Sequence, residues 1–257
     1  MGKKIEQKYW KTAIAEARDD GVKIRGFDLI EDLVGKWDFV DMFYLLIVGR
    51  RPTKEQKKVI NALFVCCAEH GISPSTTVTR FVQAAGVPIQ CAVASGVMMF
   101  GDIHGGAGQE FQKQVELLVK ERERSGSSFD EIARAYVASK TLVAGYGHPQ
   151  HPSGDPRAPV LFALAESEGV AGDHVNMAKA IEGALSEKVG RDIGANLDAA
   201  VGAISADLEI PWEVSRACIV VPRTAGLFAH AYEEMTRERG WRQIPLEEIE
   251  YDGPDVA

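Results

Sequence analysis

The sequence predicts an all-α protein, and two observations carry that expectation. Between Lys54 and His70, the residues Ile60, Leu63, Phe64 and Cys67 fall at i, i+3, i+4 and i+7, so they share one face of a helix. Helix starts are marked as well. Thr53 followed by Gln56 behind Pro52 fits a capping box, and Ser128 followed by Glu131 repeats the device ahead of residues 129–143. The same periodicity predicts the other helices in chain order: 6–19, 39–48, 76–85, 89–100, 108–123, 158–168, 174–189, 197–207 and 213–239. Only 22–25 reads as a strand, a short extension flanked by turns.

Between the helices lie three glycine-rich breaks where backbone can approach a ligand. They are His104-Gly105-Gly106-Ala107-Gly108, the stretch from Gly145-Tyr146-Gly147-His148 to Asp155-Pro156-Arg157, and Gly190 to Gly194 leading into Asn196-Leu197-Asp198. No fixed-period repeat and no low-complexity linker occurs. Residues 245–257 are acidic and contain proline, and they read as a surface tail.

A chain of 257 residues with 46% hydrophobic content can fill a core of one large domain or two modest ones. Its net charge of -8 disfavours nucleic acid and anionic membranes as partners. Cys66, Cys67, Cys91 and Cys218 show no CxxC spacing and sit among apolar residues. They read as thiols buried as small hydrophobes, which fits a reducing cytoplasm and no structural metal. The polar amino terminus has no apolar segment of signal-peptide length, and no run approaches the ~20 apolar residues of a membrane span.

His104, His148 and Asp198 sit in the three breaks, each near a helix boundary where unpaired backbone groups and the helix dipole are available to a ligand. Singly, each has an ordinary alternative. A histidine beside glycines is more often structural, and either Asn196 or Asp198 suits the helix cap ahead of residues 199–207. Arg157 and Arg223 could be ion-pair residues, but Arg223 lies inside an apolar run from Ala217 to Phe228, where a permanent charge requires an anionic partner.

The ordered segments EHGISPSTTVTR, IHGGAGQE, GYGHPQHPSGDPRAPVL, IGANLD and VPRTAGLFAH resemble citrate synthases and citryl-CoA lyases, including the lyase module of ATP-citrate lyase. The likeness begins upstream in IRGFDLIEDLVGKWDFVDMFYLLIVGRRPTKEQ and covers roughly residues 20–252. It implies a helical fold with a large domain from 1–105 and 210–257, a small domain from 106–209 that closes over ligands, and assembly as a homodimer or higher homo-oligomer. It also implies that His104, His148 and Asp198 are catalytic, and that His70, Arg157, Arg223 and Arg242 bind a dicarboxylic oxo acid. Arg242 would serve a neighbouring subunit. CoA would lie along Val143, Ala144, Gly145, Tyr146 and Gly147, entering as a thioester substrate with no permanent cofactor and no metal.

In that chemistry a carboxylate removes a weakly acidic methyl proton while a donor supports the thioester oxygen. Arginine suits the oxo acid because its planar fork meets a carboxylate bidentately. Two departures point within the family. The chain is shorter than citrate synthases, and Ser73-Pro74 replaces the asparagine usual in them. Both features, with the ending GWRQIPLEEIEYDGP, favour cleavage of citryl-CoA to acetyl-CoA and oxaloacetate. The competing expectations are a Claisen-type condensing enzyme with another acceptor, the pocket reshaped by His151 and the 149–154 insert, and a non-catalytic CoA-binding subunit.

Overall fold

The computed structural model describes residues 10–147, 154–238, 240 and 242–254. Ten α-helices appear among them. A small antiparallel sheet precedes the helices, built from β1 (Ala15–Arg18), β2 (Gly21–Ile24) and β3 (Phe27–Asp28) in the order β1-β2-β3. It overturns the expected helix over 6–19 for the described part of that stretch and enlarges the strand expected at 22–25. Two-residue turns explain it. Arg18 pairs with Gly21 around Asp19-Asp20, and Ile24 pairs with Phe27 around Arg25 and Gly26. Arg25 (φ 49°) and Gly26 (φ 92°) both lie in the left-handed region, which matches the right-handed twist of a hairpin.

A π-helical turn, Leu29–Leu33, leads to α1 (Phe39–Val48), whose Asp38 and Asp41 form a capping box. In α2 (Lys54–Ala68), Val59, Ile60 and Leu63 are buried, as the apolar stripe requires. The Thr53–Gln56 box that starts it is formed in both directions, at 3.0 and 3.1 Å. Then follow α3 (Pro74–Ala84), α4 (Ile89–Met98), α5 (Ala107–Ser125) and α6 (Phe129–Ala138), the last with the expected Ser128–Glu131 box but ending short of residue 143. The series closes with α7 (Arg157–Ser167), α8 (Asp173–Val189), α9 (Leu197–Asp207) and α10 (Ala217–Arg237). A separate 3-10 turn, Trp212–Val214, occupies the expected start of the last helix. Cys67 and Cys218 are buried as expected, but Cys91 is exposed.

The chain divides into two compact units, Met1–Leu63 with Gly108–Ser215, and Phe64–Ala107 with Arg216–Ala257. The amino-terminal stretch clusters with the middle of the chain. In the first unit, α8 packs on α6 and α9, and α9 on α7. The Tyr44 hydroxyl donates to the Leu208 carbonyl at 2.8 Å, tying α1 to the end of α9. In the second unit α3, α4 and α10 pack mutually, with Val93, Leu227 and Ala231 at their centre.

Candidate active site

The first unit presents Asp198 at the start of α9. Asn196 is the cap, its Oδ1 accepting from the Asp198 and Ala199 amides at 2.9 and 3.3 Å. The Asp198 carboxylate is therefore released from capping. Burial pushes its pKa above the ordinary carboxylate value, and the Asp155 charge adds to this. The Gly108 amide, donating from the first turn of α5, and the Arg157 charge oppose the shift without cancelling it. Glycine at 108 lets the two backbones approach closely, since a Cβ there would stand 3.2 Å from the Asp198 carbonyl oxygen.

The 145–147 segment is stitched to the approach of α9 by backbone. Tyr146 bridges to Ala195, the Asn196 amide donates to the Gly145 carbonyl at 2.9 Å, and the Asn196 side chain donates to the Gly147 carbonyl at 2.7 Å. At Gly145 (φ 85°) an added Cβ would meet the Ala199 Cβ at 2.8 Å, so no larger residue fits. Of the expected stretch Val143, Ala144, Gly145, Tyr146 and Gly147, the last three are thus held within the frame that positions Asp198.

Arg157 lies in the same unit, but its fork is occupied. Its Nε and one terminal nitrogen donate to the two oxygens of Asp155 at 2.9 and 2.7 Å. Asp155, buried to 2% exposure, also accepts from the Leu197 amide at 3.1 Å. Burial alone would raise its pKa, yet the Arg157 bonds outweigh that and hold it at about 2. Arg157 is therefore joined through Asp155 to the residue beside Asp198.

The second unit holds His70, His104, Arg223 and Arg242. The sharp turn Gly101–Gly105 delivers His104, whose ring stacks on Phe100 with centroids 4.9 Å apart. Its Nε2 lies 3.1 Å from the hydroxyl of buried Ser75, near the start of α3. Burial, then the positive charge of Arg223, lowers the His104 pKa and keeps the imidazole neutral. Arg223 is buried on α10 and its Nε donates to the Cys67 carbonyl at 2.9 Å, near the end of α2. His70 follows that end directly, half-buried.

Arg242 is paired within its own chain. Its fork is taken bidentately by buried Glu234 of its own chain, at 2.7 and 2.8 Å. That pairing, which raises its own pKa, leaves the guanidinium engaged within this chain. His148 and His151 lie outside the described residues. Ser75 escaped the sequence reading although it stands in the quoted PST segment, because nothing local distinguishes a hydroxyl facing a distant histidine from one capping its own helix.

The first unit thus carries a shielded carboxylate with a raised pKa, and the second carries an imidazole whose pKa is lowered by burial and by the charge of a buried guanidinium, groups of the kind that acid–base enzymes use. A family model described as citrate synthase, C-terminal domain, matches residues 49–244, and the chain belongs to the citrate synthase family. Over 189 residues it is 30% identical to putative citrate synthase 2 of Mycobacterium tuberculosis, covering 71% of this chain and 49% of that protein. Over 220 residues it is 29% identical to a citrate synthase of Synechocystis, covering 82% and 53%. The chain thus spans about half the length of these curated relatives. Among solved structures, citryl-CoA lyase from Hydrogenobacter thermophilus superposes with a TM-score of 0.88 at 30% identity over 97% of both chains. ATP citrate lyase from Methanothrix soehngenii, solved with citrate and coenzyme A, shares the fold at TM-score 0.81 and 18% identity, over 97% of this chain and 42% of that one.

Proposed function

We propose that the chain cleaves citryl-CoA to acetyl-CoA and oxaloacetate. The observation that carries this reading is the likeness to the Hydrogenobacter citryl-CoA lyase, at TM-score 0.88 and 30% identity. In the proposed reaction His148 takes the proton of the citryl hydroxyl, the carbon–carbon bond opens to a ketone, and its electrons pass to the enolate of acetyl-CoA. Asp198 gives that enolate carbon its proton. The raised pKa of Asp198 suits a group that carries a proton in cleavage and removes one in condensation. His104, neutral, donates to the thioester oxygen as negative charge develops there. For this Ser75 must donate to Nε2, leaving the proton on Nδ1.

Arg223 and His70 bind the carboxylates of the oxo-acid portion in this reading, and CoA lies along 143–147. Arg157 acts mainly on Asp198, through its charge and through Asp155. The condensing alternative is favoured by the names of the curated relatives, and the same groups run in reverse serve it.

The deciding measurement is oxaloacetate release from citryl-CoA, coupled to malate dehydrogenase and read as NADH loss. Release by the wild-type chain that falls at least about 10²-fold in Asp198→Asn is the expected outcome. Binding of acetyl-CoA without release shifts the reading to condensation with another acceptor. The reading includes a homo-oligomer, supported by an exposed apolar row on α10, Phe228, Tyr232 and Met235, spaced for one helix face.

A further inference from the structure

We propose that Glu69 and His230 are positioning residues that set the geometry of the His70–Gly71 turn without touching substrate. The inference rests on the reading that His70 binds the oxo-acid portion.

Glu69 stands just past the carboxyl end of α2, where the helix dipole disfavours an acidic side chain. A helix stop needs donors for its last carbonyls, and a carboxylate supplies none. Glu69 instead turns forward. Its Oε1 accepts from the amides of His70 and Gly71, at 2.8 and 2.6 Å, and from His230 Nε2 at 3.1 Å. These bonds hold its pKa below the ordinary value although its partial burial pushes the other way. The second oxygen lies against α10 at Gly226, where an added Cβ would stand 2.4 Å from it. The turn is tied at its far side too, since the Thr76 hydroxyl donates to the Gly71 carbonyl at 3.1 Å.

His230 is oriented in turn. Its Nδ1 lies 3.4 Å from a terminal nitrogen of Arg80, and a guanidinium only donates, so Nδ1 accepts and Nε2 carries the proton aimed at Glu69. Arg80, itself nearly buried, is fixed by Glu233 at 3.1 Å and by buried Glu234 at 2.8 Å. A continuous chain of ion-pair and hydrogen-bond contacts therefore runs from Glu234 through Arg80, His230 and Glu69 to the two amides that bracket the α-carbon of His70. An acidic residue at the wrong helix pole, held by three donors of which two are those amides, matches a device that fixes one backbone geometry.

The test uses the full chain and reads oxaloacetate and CoA binding separately by calorimetry, with thermal midpoints alongside. His70→Ala, Glu69→Ala, His230→Ala and His230→Gln are compared with wild type. Expected is about tenfold weaker oxaloacetate binding in both Glu69→Ala and His230→Ala, with CoA affinity within twofold of wild type. His230→Gln, which can still donate to Glu69 and accept from Arg80, restores most of the loss. Unchanged oxaloacetate affinity in the folded alanine variants overturns the inference, as does a parallel fall in both ligands and the thermal midpoint that glutamine does not rescue. If His70→Ala leaves oxaloacetate binding intact, or wild type binds none, the assignment of His70 fails first and takes the inference with it. If His70→Ala weakens binding but the other alanine variants do not, only the inference fails. Should Glu69→Ala not fold, Glu69→Gln, which keeps an acceptor oxygen but loses the charge, replaces it with a smaller expected loss.

Discussion

At the scale of single residues, the proton balance of Asp198 leads to a directional pH dependence. In the proposed reaction, condensation needs its carboxylate, so that rate is expected to fall as pH drops through the raised pKa. Cleavage needs its acid form, so that rate falls as pH rises through the same value. The Arg157 charge lowers this pKa, so Arg157→Met moves both profiles to higher pH. Initial-rate profiles in the two directions measure the shift, and a shift to lower pH contradicts the assignment. Ser75→Ala is expected to lower turnover by roughly one order of magnitude while leaving CoA affinity unchanged, since it removes the group that orients His104. Single-turnover rates with separately measured CoA binding check this. Sequence motifs located these residues but not their environments. Asn196 and Asp198 were equally good caps on paper, and only the folded backbone shows that Asn196 takes the amides.

At the scale of elements, two carboxylates organise helix starts from a distance. Asp207, at the end of α9, accepts from the amides of Gly172, His174 and Val175 at 2.7, 3.2 and 3.1 Å, capping α8 from outside it. Its further bond to His174 Nδ1, at 2.8 Å, anchors the same turn. Asp207→Ala is expected to lower stability by about 1–3 kcal/mol, combining cap loss with unpaired donors, as read by urea unfolding. Asp155 does the same for α9 through Leu197. Its folded pKa of about 2 lies below the ordinary carboxylate value of 3.8, so it stabilises the fold at pH values above the unfolded pKa, by about 2 kcal/mol. That contribution is lost as pH falls from about 4 towards 2, and Asp155→Asn should flatten the fall in thermal midpoint over this window. Tertiary caps of this kind leave no local signature in the sequence around residue 174. The amino-terminal sheet was missed for a related reason. Ala15, Glu16 and Ala17 favour a helix locally, but pairing across the Asp19-Asp20 and Arg25-Gly26 turns decided otherwise.

At the scale of the molecule, the exposed row Phe228, Tyr232 and Met235 predicts self-association. Sedimentation is expected to show a dimer or larger species, and Tyr232→Glu to shift it towards monomer without unfolding the chain. By itself, the sequence determined most helix positions, the family and the motif residues, because helical periodicity, capping and motif order are local properties of the chain. The tertiary structure decided what those residues are connected to. It occupied Arg157 with Asp155 and Arg242 with Glu234, brought Ser75 to His104, and placed the amino-terminal stretch with the middle of the chain. Each is a pairing between groups distant in sequence or alternative in partner, and a buried charge or imidazole selects its partner only once packing has removed the competing water.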